Sequence, residues 1–303
     1  MTGSTIDQKA AQMITVTAPT STVGRQVVDR LVSHTVPVRV VARHPDRLDS
    51  RVRDQVQVVE GSHADPEVVA SAFDGADAVF WLVPPDPHAD DVTAAYVDFT
   101  RPAAQAFRTY NVDRVVGVSA LGRGGPANSG LVAASLAMDD LIADSGVNYR
   151  ALAMPSFMDN LLRQADAIKN RGVFFQPIDG DRPMPTCATR DIADAAVTLL
   201  LDESWTGVAE VPVLGPEDLS FTEMAEIMSE VLGWPVRFQR IDNAAYQAQL
   251  VNNGMSEAMA QGMLDMHIAK NDGLDNAEPR TPEASTPTTF RQWCESVLVP
   301  ALA

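Results

Sequence analysis

The chain has 303 residues, of which 46% are hydrophobic, so it can bury a large core in one domain or in a large domain with a smaller lobe. Its formal net charge is −17, and from Asp202 onward 16 acidic residues oppose 5 basic ones. This charge disfavours binding to nucleic acid or to an anionic membrane. No apolar run approaches the roughly 20 residues that span a bilayer.

Residues 1–12 are polar and lack the apolar centre of a signal peptide, which predicts a flexible tail. Cys187 and Cys294 are the two cysteines of the chain, and they lie far apart in sequence. No group of Cys and His has the spacing of metal ligands, so no metal site is expected. Together these features favour a reduced, cytoplasmic compartment.

The first structured segment reads MITVTAPTSTVGRQVVDRL over residues 13–31. Residues 13–17 are apolar and β-branched, as in a buried strand, and residues 23–31 place valines and a leucine at helical spacing. A strand that enters a helix through a tight turn is the first half of a dinucleotide-binding βαβ unit. In such a unit the helix N-terminus faces a pyrophosphate.

Two of the three glycines that this turn normally carries are replaced. The pattern G-x-x-G-x-x-G falls on Ala18, Ser21 and Gly24. The first glycine permits the tight turn, the second admits the phosphate, and the third lets helix and strand pack closely. Two interpretations follow. Either the turn is a structural remnant that binds no dinucleotide, or it tolerates Ala18 and offers the hydroxyl of Ser21 or Thr22 to the phosphates.

A second strand is predicted over residues 36–42, and it ends at Arg43. At this position an acidic residue favours a free 2′-hydroxyl on the adenosine ribose, whereas an arginine favours a 2′-phosphate. If a dinucleotide binds, we therefore expect NADP(H). The alternative is an arginine on a solvated loop.

Further predicted strands alternate with helices up to residue 153. The strands are 56–60, 77–83, 114–119 and 148–153, and the helices are 67–73, 92–110 and 131–145. This alternation predicts a Rossmann-like α/β fold, a doubly wound parallel sheet with helices on both faces. Ligands bind at the carboxyl edge of such a sheet, where Ser119 and His88 are expected. His88 either lines a pocket there or is an ordinary loop histidine.

The helix predicted at residues 131–145 carries a cluster of acids, Asp139, Asp140 and Asp144. Paired aspartates suit acid–base chemistry or a metal, but they are also typical of a solvated helix face. We assign all three to the solvated face.

After residue 154 the regular alternation ends. We expect a Rossmann-like domain over residues 13–154 and mainly a small C-terminal α+β substrate lobe over residues 155–303, with some segments returning to the first domain. A helix is predicted from residue 155 toward residue 169 and a loop over residues 180–189. Four methionines recur at helical spacing and predict a core stripe or a pocket wall: Met255, Met259, Met263 and Met266.

Motifs spread along the chain resemble those of the NmrA-like branch of the atypical short-chain dehydrogenases/reductases, and most of all bacterial relatives of festuclavine dehydrogenase, the ergot-alkaloid reductase. They include VARHPDRL at 41–48, FWLVPP at 80–85, VVGVSALG at 115–122, PSFMDNLL at 155–162, TRDIADAA at 189–196 and VLGPEDLSFTEMAEIMSEVLGWPV at 213–236. The resemblance implies an NAD(P)H-binding Rossmann domain with a small substrate lobe. Members reduce small molecules such as iminium, alkene, quinone or carbonyl compounds, and others sense nucleotide without chemistry.

The resemblance also implies site residues. The positions that match the family's nucleotide site are Thr17, Thr20, Thr22, Val23, Gly24, Arg43, Leu82, Val83, Pro84 and Ser119. Ala18 and Ser21, which replace two glycines of the turn, are also expected to contact the cofactor. Apart from the resemblance, the residues expected to line the substrate pocket are His88, Phe157, Met158 and Asn160.

Several positions depart from the family pattern. Ser62 replaces an acid that faces adenine, Ser135 replaces a basic residue or histidine, and Ala137 stands where an acid is common. Ala153 replaces an arginine and is followed by Met154. No tyrosine is followed four residues later by lysine, so the usual proton-donating pair is absent. The catalytic residues stay undetermined, with Ser119 and His88 as candidates.

Three functions remain open at this stage. The first is an NADPH-dependent reductase of a small hydrophobic metabolite, with Arg43 at the 2′-phosphate and Ser119 near the nicotinamide. The second is a non-redox enzyme, a cyclase or isomerase, that has lost the dinucleotide. The third is a ligand-sensing regulator without turnover. A small molecule is the expected partner in each, and the oligomeric state is left open.

Overall fold

A computed structural model describes residues 12–303, so the predicted tail lies outside the described residues apart from Gln12. The strands are β1 (Ile14–Thr17), β2 (Val38–Ala42), β3 (Gln57–Glu60), β4 (Ala78–Trp81), β5 (Arg114–Ala120), β6 (Asn148–Met154), β7 (Ser156–Phe157), β8 (Val173–Gln176), β9 (Met184–Cys187), β10 (Val208–Pro212), β11 (Asp218–Leu219) and β12 (Arg237–Arg240).

The α-helices are α1 (Thr22–Ser33), α2 (Ser50–Arg53), α3 (Pro66–Phe73), α4 (Phe99–Thr109), α5 (Leu131–Asp144), α6 (Ala165–Arg171), α7 (Thr189–Leu201), α8 (Phe221–Leu232), α9 (Asn243–Asn252), α10 (Glu257–Asn271), α11 (Phe290–Trp293) and α12 (Val299–Leu302). Short 3₁₀ turns lie at Pro45–Arg47, Met158–Gln164 and Leu274–Ala277, and π-helical turns lie at Ala94–Asp98 and Cys294–Leu298.

Seven strands form one parallel sheet in the spatial order β10-β6-β5-β4-β1-β2-β3. Chain order reverses beside β1, which is the switch point where doubly wound sheets bind ligands. The six strands predicted in the first half are all present within two residues of their predicted ends. The predicted Rossmann-like fold class is confirmed.

The strand β1 shows why this sequence forms a buried central strand. All four of its residues are buried. Ile14 and Val16 lie in the apolar core, while the two threonines find partners on neighbouring backbone. The Thr15 hydroxyl donates to the Ala72 carbonyl at 2.8 Å, and the Thr17 hydroxyl accepts from the Leu82 amide at 2.8 Å. Because these hydroxyls are paired, their burial carries little cost.

Helices cover both faces of the sheet. Apolar residues of α1 and α7 pack together with β1 and β2 on one face. On the other face, α3, α4 and α5 cover β4 and β5, and the rings of Phe73 and Phe107 stack at 5.1 Å. No helix within residues 12–303 has the length and hydropathy that a membrane span requires.

The second half of the chain builds a smaller lobe. Its sheets are β11-β9-β7 and β12-β8, and its core includes Phe174, Phe290 and Trp293. After leaving the first sheet the chain returns to it, because α7 packs on α1 and β10 pairs with β6. The exact division at residue 154 stays a prediction.

Two local predictions for this lobe are wrong. The predicted loop at 180–189 contains β9, whose four residues are all buried between β7 and β11. The predicted helix from residue 155 is instead the strand β7 and a 3₁₀ turn, and α6 begins only at Ala165. In the 3₁₀ turn, residues three apart lie on the same side, so Met158 and Leu161 both enter the lobe core.

Candidate functional site

A cavity of about 630 Å³ lies at the carboxyl ends of β1, β4 and β5, with the lobe on its other side. From the main domain it is lined by Ser21, Thr22, Val23, Leu82, Val83, Pro84, Pro85, Tyr96, Val118, Ser119, Ala120, Leu131, Val132, Ser135 and Met138. From later segments it is lined by Phe157, Asp159, Asn160, Leu162, Arg163, Thr189 and Met266. The lining is mostly apolar, as in sites for small molecules.

The turn between β1 and α1 keeps its glycine-type conformation although two glycines are missing. Ala18 has a φ of +47°, in the left-handed region that favours glycine. The Ser21 amide donates to the Ala18 carbonyl at 3.0 Å, and the Ser21 hydroxyl donates to the same oxygen at 2.8 Å. A Cβ on Gly24 would lie 2.2 Å from that oxygen, so close packing requires the retained glycine.

Ser21 also caps α1, because its hydroxyl accepts from the Gly24 amide at 3.0 Å. Its single hydroxyl proton is therefore used inside the turn and is not free for a phosphate. The donors left are the free backbone N–H groups at the start of α1 and the hydroxyl of Thr22, which lines the cavity.

This edge of the sheet fits NADP(H). The first turn of α1 carries no acidic residue, so its positive end is not neutralised. Arg43 follows β2, the strand next to β1, and its side chain is exposed. Within residues 12–303 its guanidinium has no hydrogen-bond or ion-pair partner. A pyrophosphate would be held by the start of α1, and a 2′-phosphate by Arg43.

The structure brings together nine of the residues predicted for the site. At the cavity lie Ser21, Thr22, Val23, Leu82, Val83, Pro84, Ser119, Phe157 and Asn160. Thr17, Ala18, Thr20, Gly24 and Arg43 are near the turn or the strand ends but do not line it.

Two predicted pocket residues lie elsewhere. Met158 is only 3% exposed and belongs to the lobe core, and His88 is exposed on its loop outside the cavity lining. Neither residue therefore contributes to the cavity in this structure. Of the methionine stripe, Met266 reaches the cavity wall and Met259 is buried.

Asp139 is not on the solvated face, and that prediction is wrong; Asp140 and Asp144 are exposed as expected. Asp139 is 2% exposed. The Ser119 hydroxyl donates a short hydrogen bond to its Oδ2, and the Tyr149 hydroxyl donates to its Oδ1 at 2.6 Å. The sequence did carry a signal, since position 139 falls in a helical stripe with the buried residues Leu131, Ser135, Met138 and Ile142.

Gly117 makes the room for this arrangement. A Cβ at that position of β5 would lie 2.2 Å from the Tyr149 hydroxyl oxygen. The tyrosine ring therefore packs against bare backbone, and its hydroxyl reaches Asp139 on α5. The result is one polar cluster that joins β5, α5 and β6 inside an otherwise apolar core.

The environment of Asp139 favours its protonated form. Burial raises the pKa of Asp139 to about 7, against the hydrogen bonds from Ser119 and Tyr149 and the charge of Arg123. The Arg123 guanidinium lies 3.8 Å from Oδ2 and also pairs with Asp140 at 2.8 Å and with Glu210. Burial and the neighbouring Asp139 hold the pKa of Tyr149 well above its usual value.

Two charged side chains line the lobe side of the cavity. The Asp159 carboxylate accepts from the Thr189 hydroxyl at 3.0 Å and from the Trp293 indole N–H at 3.1 Å. Arg163 has no hydrogen-bond or ion-pair partner in the described part of the chain. Burial raises the pKa of the nearby Tyr246 to about 12, with the Arg163 charge acting in the opposite direction. Arg163 is therefore available to pair with an anionic group of a ligand.

Comparison with known families now identifies the chain. Residues 20–203 match the NAD(P)H-binding family, and residues 140–294 match the NmrA-like family. The chain belongs to the NmrA-like family of NAD(P)H-binding proteins. This confirms the family that the sequence motifs resemble, and it supports NADP(H) as the cofactor.

The relatives of this NmrA-like protein include named reductases. It is 34% identical to the (4-alkanoyl-5-oxo-2,5-dihydrofuran-3-yl)methyl phosphate reductase of Streptomyces griseus subsp. griseus, over 79% of this chain and 80% of the relative. It is 30% identical to festuclavine dehydrogenase of Aspergillus fumigatus, over 54% of each.

Solved structures show the same fold. The NADPH-dependent quinone oxidoreductase of Escherichia coli, solved in complex with NADPH, superposes with a TM-score of 0.72 at 22% identity, over 90% of this chain and 97% of that chain. This likeness shows the fold, while the NAD(P)H-binding family and the named relatives support the prediction of an NAD(P)H-dependent reductase.

Proposed function

We propose that this NmrA-like protein uses NADPH to reduce a small hydrophobic acceptor whose double bond is already polarised. One observation carries the proposal: a single cavity extends from the start of α1, past Ser119, to the lobe residues Phe157 and Asn160. A dinucleotide held at α1 and an acceptor held under the lobe would therefore share one space. The cofactor, when bound, supplies hydride.

The residues in the cavity favour an acceptor that needs little help from a protein acid. Tyr96 is the tyrosine on the wall, and burial raises its pKa to about 12, which makes it a poor proton donor at neutral pH. Quinones, conjugated alkenes and iminium ions accept hydride more readily than simple ketones. The names of similar proteins also favour an acceptor with a polarised double bond. They include a quinone and a dihydrofuranone whose ring double bond is conjugated to carbonyl groups.

The lobe wall further favours an acceptor with an anionic substituent. Asp159 is held by two hydrogen bonds, whereas Arg163 is free to pair with a ligand. An arginine binds a phosphate or carboxylate through two parallel hydrogen bonds. The Streptomyces griseus relative is named for a phosphate ester, which supports this assignment.

The chemistry of the cysteines supports a cytoplasmic location for this reaction. Cys187 and Cys294 are both free and buried. Burial raises the pKa of Cys294 to about 12 and that of Cys187 well above its usual value, so both stay as unreactive thiols. This pattern is typical of a reducing compartment.

Calorimetric titration of the purified protein with NADPH and NADH tests the cofactor assignment first. We expect micromolar NADPH binding, tighter than that of NADH. NADPH oxidation is then followed with 2-methyl-1,4-naphthoquinone and with an N-methyl-3,4-dihydroisoquinolinium salt as acceptors. Absence of binding by either nucleotide up to millimolar concentration would contradict the proposal and favour the non-redox interpretation. Tight binding without turnover of any acceptor would favour the regulator.

A further inference from the structure

We infer that Asp139 is the proton source for the reduction and that the Ser119 hydroxyl passes its proton into the cavity. The inference rests on the proposed reductase function and assigns a route that the missing Tyr-x-x-x-Lys pair does not supply. Ser119 lines the cavity, while Asp139 lies one hydrogen bond behind it, with its carboxyl group closed off from solvent.

The geometry gives the carboxyl group one way into the cavity. Oδ2 of Asp139 contacts the Ser119 hydroxyl. Ser119 is also part of the cavity wall, together with Val118 and Ala120 of β5. Oδ1 faces the other way, toward the Tyr149 hydroxyl beneath Gly117. A proton on Oδ2 can therefore move only toward Ser119, because the Arg123 guanidinium 3.8 Å away is already fully protonated and accepts no proton.

The cluster also has a charged rim at the surface. Arg123 is 43% exposed and connects the buried Asp139 to Asp140 and Glu210. Because a guanidinium does not carry protons, water that enters the cavity after product release restores the proton of Asp139 through Ser119. A purely structural cross-link between β5, α5 and β6 would need neither a contact with the cavity nor a charged group at the rim.

For a quinone, proton transfer accompanies hydride addition. Hydride adds to the acceptor with two electrons, and negative charge develops on its oxygen. When Oδ2 of Asp139 carries the proton, its O–H donates to the Ser119 oxygen, and the Ser119 hydroxyl then donates into the cavity. The acceptor oxygen takes the Ser119 proton, while the O–H bond on Oδ2 breaks and that proton passes to Ser119. Asp139 ends as a carboxylate, Ser119 is restored, and solvent protonates Asp139 again. An N-methyl iminium ion needs no proton, because hydride addition gives a neutral amine directly.

Charged and titratable groups surround Asp139 from several elements. Ser119 and Tyr149 donate from β5 and β6, Arg123 contributes positive charge from the loop after β5, and Glu210 on β10 contributes negative charge. Burial outweighs these contributions and raises the pKa of Asp139 to about 7. A pKa near neutral suits a group that both gives and regains a proton.

The pH dependence of turnover with two acceptors tests the route. With 2-methyl-1,4-naphthoquinone, wild-type kcat should fall as the pH rises through about 7; with the N-methyl-3,4-dihydroisoquinolinium salt it should not. Asp139→Asn should lower kcat for the quinone at pH 6 by roughly 100-fold, since one general acid contributes about 10²–10⁴-fold. The same substitution should abolish the fall of kcat with rising pH. Iminium turnover should change less than threefold. An equal loss with both acceptors would overturn the relay.

Further variants separate proton transfer from structural support. Ser119→Ala should cause the same loss as Asp139→Asn, and the double variant should be no worse than either, because the two residues act as one unit. Tyr149→Phe removes a hydrogen bond that favours the ionised form of Asp139. The fall of kcat with pH should therefore move to higher pH, while the quinone reaction persists. Asp144→Asn, an exposed acid on the same helix, is the matched control. Additive losses at Ser119 and Asp139 would contradict the relay.

A second readout does not depend on turnover. Carbon-13 NMR of protein labelled at the aspartate carboxyl carbons should show one carboxyl that titrates near pH 7 and is absent from Asp139→Asn. If all carboxyls titrate below pH 5, the relay is overturned even if the protein is a reductase. If a carboxyl group titrates near pH 7 but no acceptor is reduced with NADPH, the proposed reductase function is the part that fails.

Discussion

The Tyr149 hydroxyl donates a 2.6 Å hydrogen bond to Asp139 from the side of β5 that Gly117 leaves open. This contact favours the ionised carboxylate, yet burial raises the pKa of Asp139 to about 7. The carboxyl group is therefore satisfied in its hydrogen bonds but still costly to ionise. The difference between the pKa of Asp139 in the folded and in the unfolded protein should therefore appear in the pH dependence of stability.

Asp139 should make stability depend on pH with a defined sign. In the unfolded chain it ionises near pH 4, whereas in the folded protein it stays protonated to about pH 7. The contribution of Asp139 to the free energy of unfolding is complete below pH 4. It falls by up to about 4 kcal/mol as the pH rises to 7. Urea unfolding between pH 4 and 8 should show a smaller decline for Asp139→Asn than for wild type. Parallel curves for the two proteins would contradict this, and Asp144→Asn should follow wild type.

Two positions of the β1–α1 turn should respond to substitution in opposite directions. Ala18→Gly relieves the left-handed conformation and should stabilise by about 0.5–1 kcal/mol, with NADPH affinity unchanged or improved. Gly24→Ala places a Cβ 2.2 Å from the Ala18 carbonyl oxygen and should destabilise by roughly 1–3 kcal/mol. Thermal unfolding measures both. Destabilisation by Ala18→Gly would show that the turn is not strained.

Much of the fold follows from local sequence. The strands β2 and β4 are mostly apolar, as buried parallel strands require, and β1 is made of β-branched residues; all three alternate with helical patterns. In contrast, β9 is the run MPTC, too short for periodicity and interrupted by Pro185. Its partners β7 and β11 lie about 30 residues away on either side, so only the tertiary structure defines it.

The position of the site within the fold follows from the sequence more directly than the side chains that line it. A cavity does lie at the carboxyl edge of the sheet, and Ser119 lines it. Asp139 and Asp140 were treated as a pair, but neighbouring helix residues point about 100° apart, so one is buried and the other exposed. For His88 and Met158, a loop and an irregular turn decide where the side chains point, and no sequence period describes either.

Arg43 should decide between the two nicotinamide nucleotides. It is exposed after β2 and has no hydrogen-bond or ion-pair partner among residues 12–303. Charge-assisted hydrogen bonds contribute about 1.5–3 kcal/mol, so Arg43→Ala should weaken NADPH binding by roughly 10–100-fold. NADH, which lacks the 2′-phosphate, should lose little. Calorimetry of Arg43→Ala beside Arg47→Ala checks this, and equal losses for both nucleotides would contradict the assignment.

Arg163 should determine which acceptors bind well. Arg163 lines the cavity and has no hydrogen-bond or ion-pair partner among residues 12–303, while Asp159 on the same wall accepts hydrogen bonds from Thr189 and Trp293. Arg163→Ala should raise KM about 10-fold or more for a naphthoquinone with a carboxylate side chain and leave KM for 2-methyl-1,4-naphthoquinone nearly unchanged. The wild-type preference for the anionic acceptor should also shrink at high ionic strength.

The control for Arg163 is an arginine of the same lobe outside the cavity lining. The Arg171 guanidinium lies 5.6 Å from the centre of the Phe175 ring, so Arg171→Ala should leave KM for both acceptors unchanged. Arg163→Lys keeps the charge but loses the paired hydrogen bonds, and should recover only part of the affinity. If Arg163→Ala raises KM equally for the charged and the neutral quinone, the arginine supports the shape of the wall, and the acceptor need not be an anion.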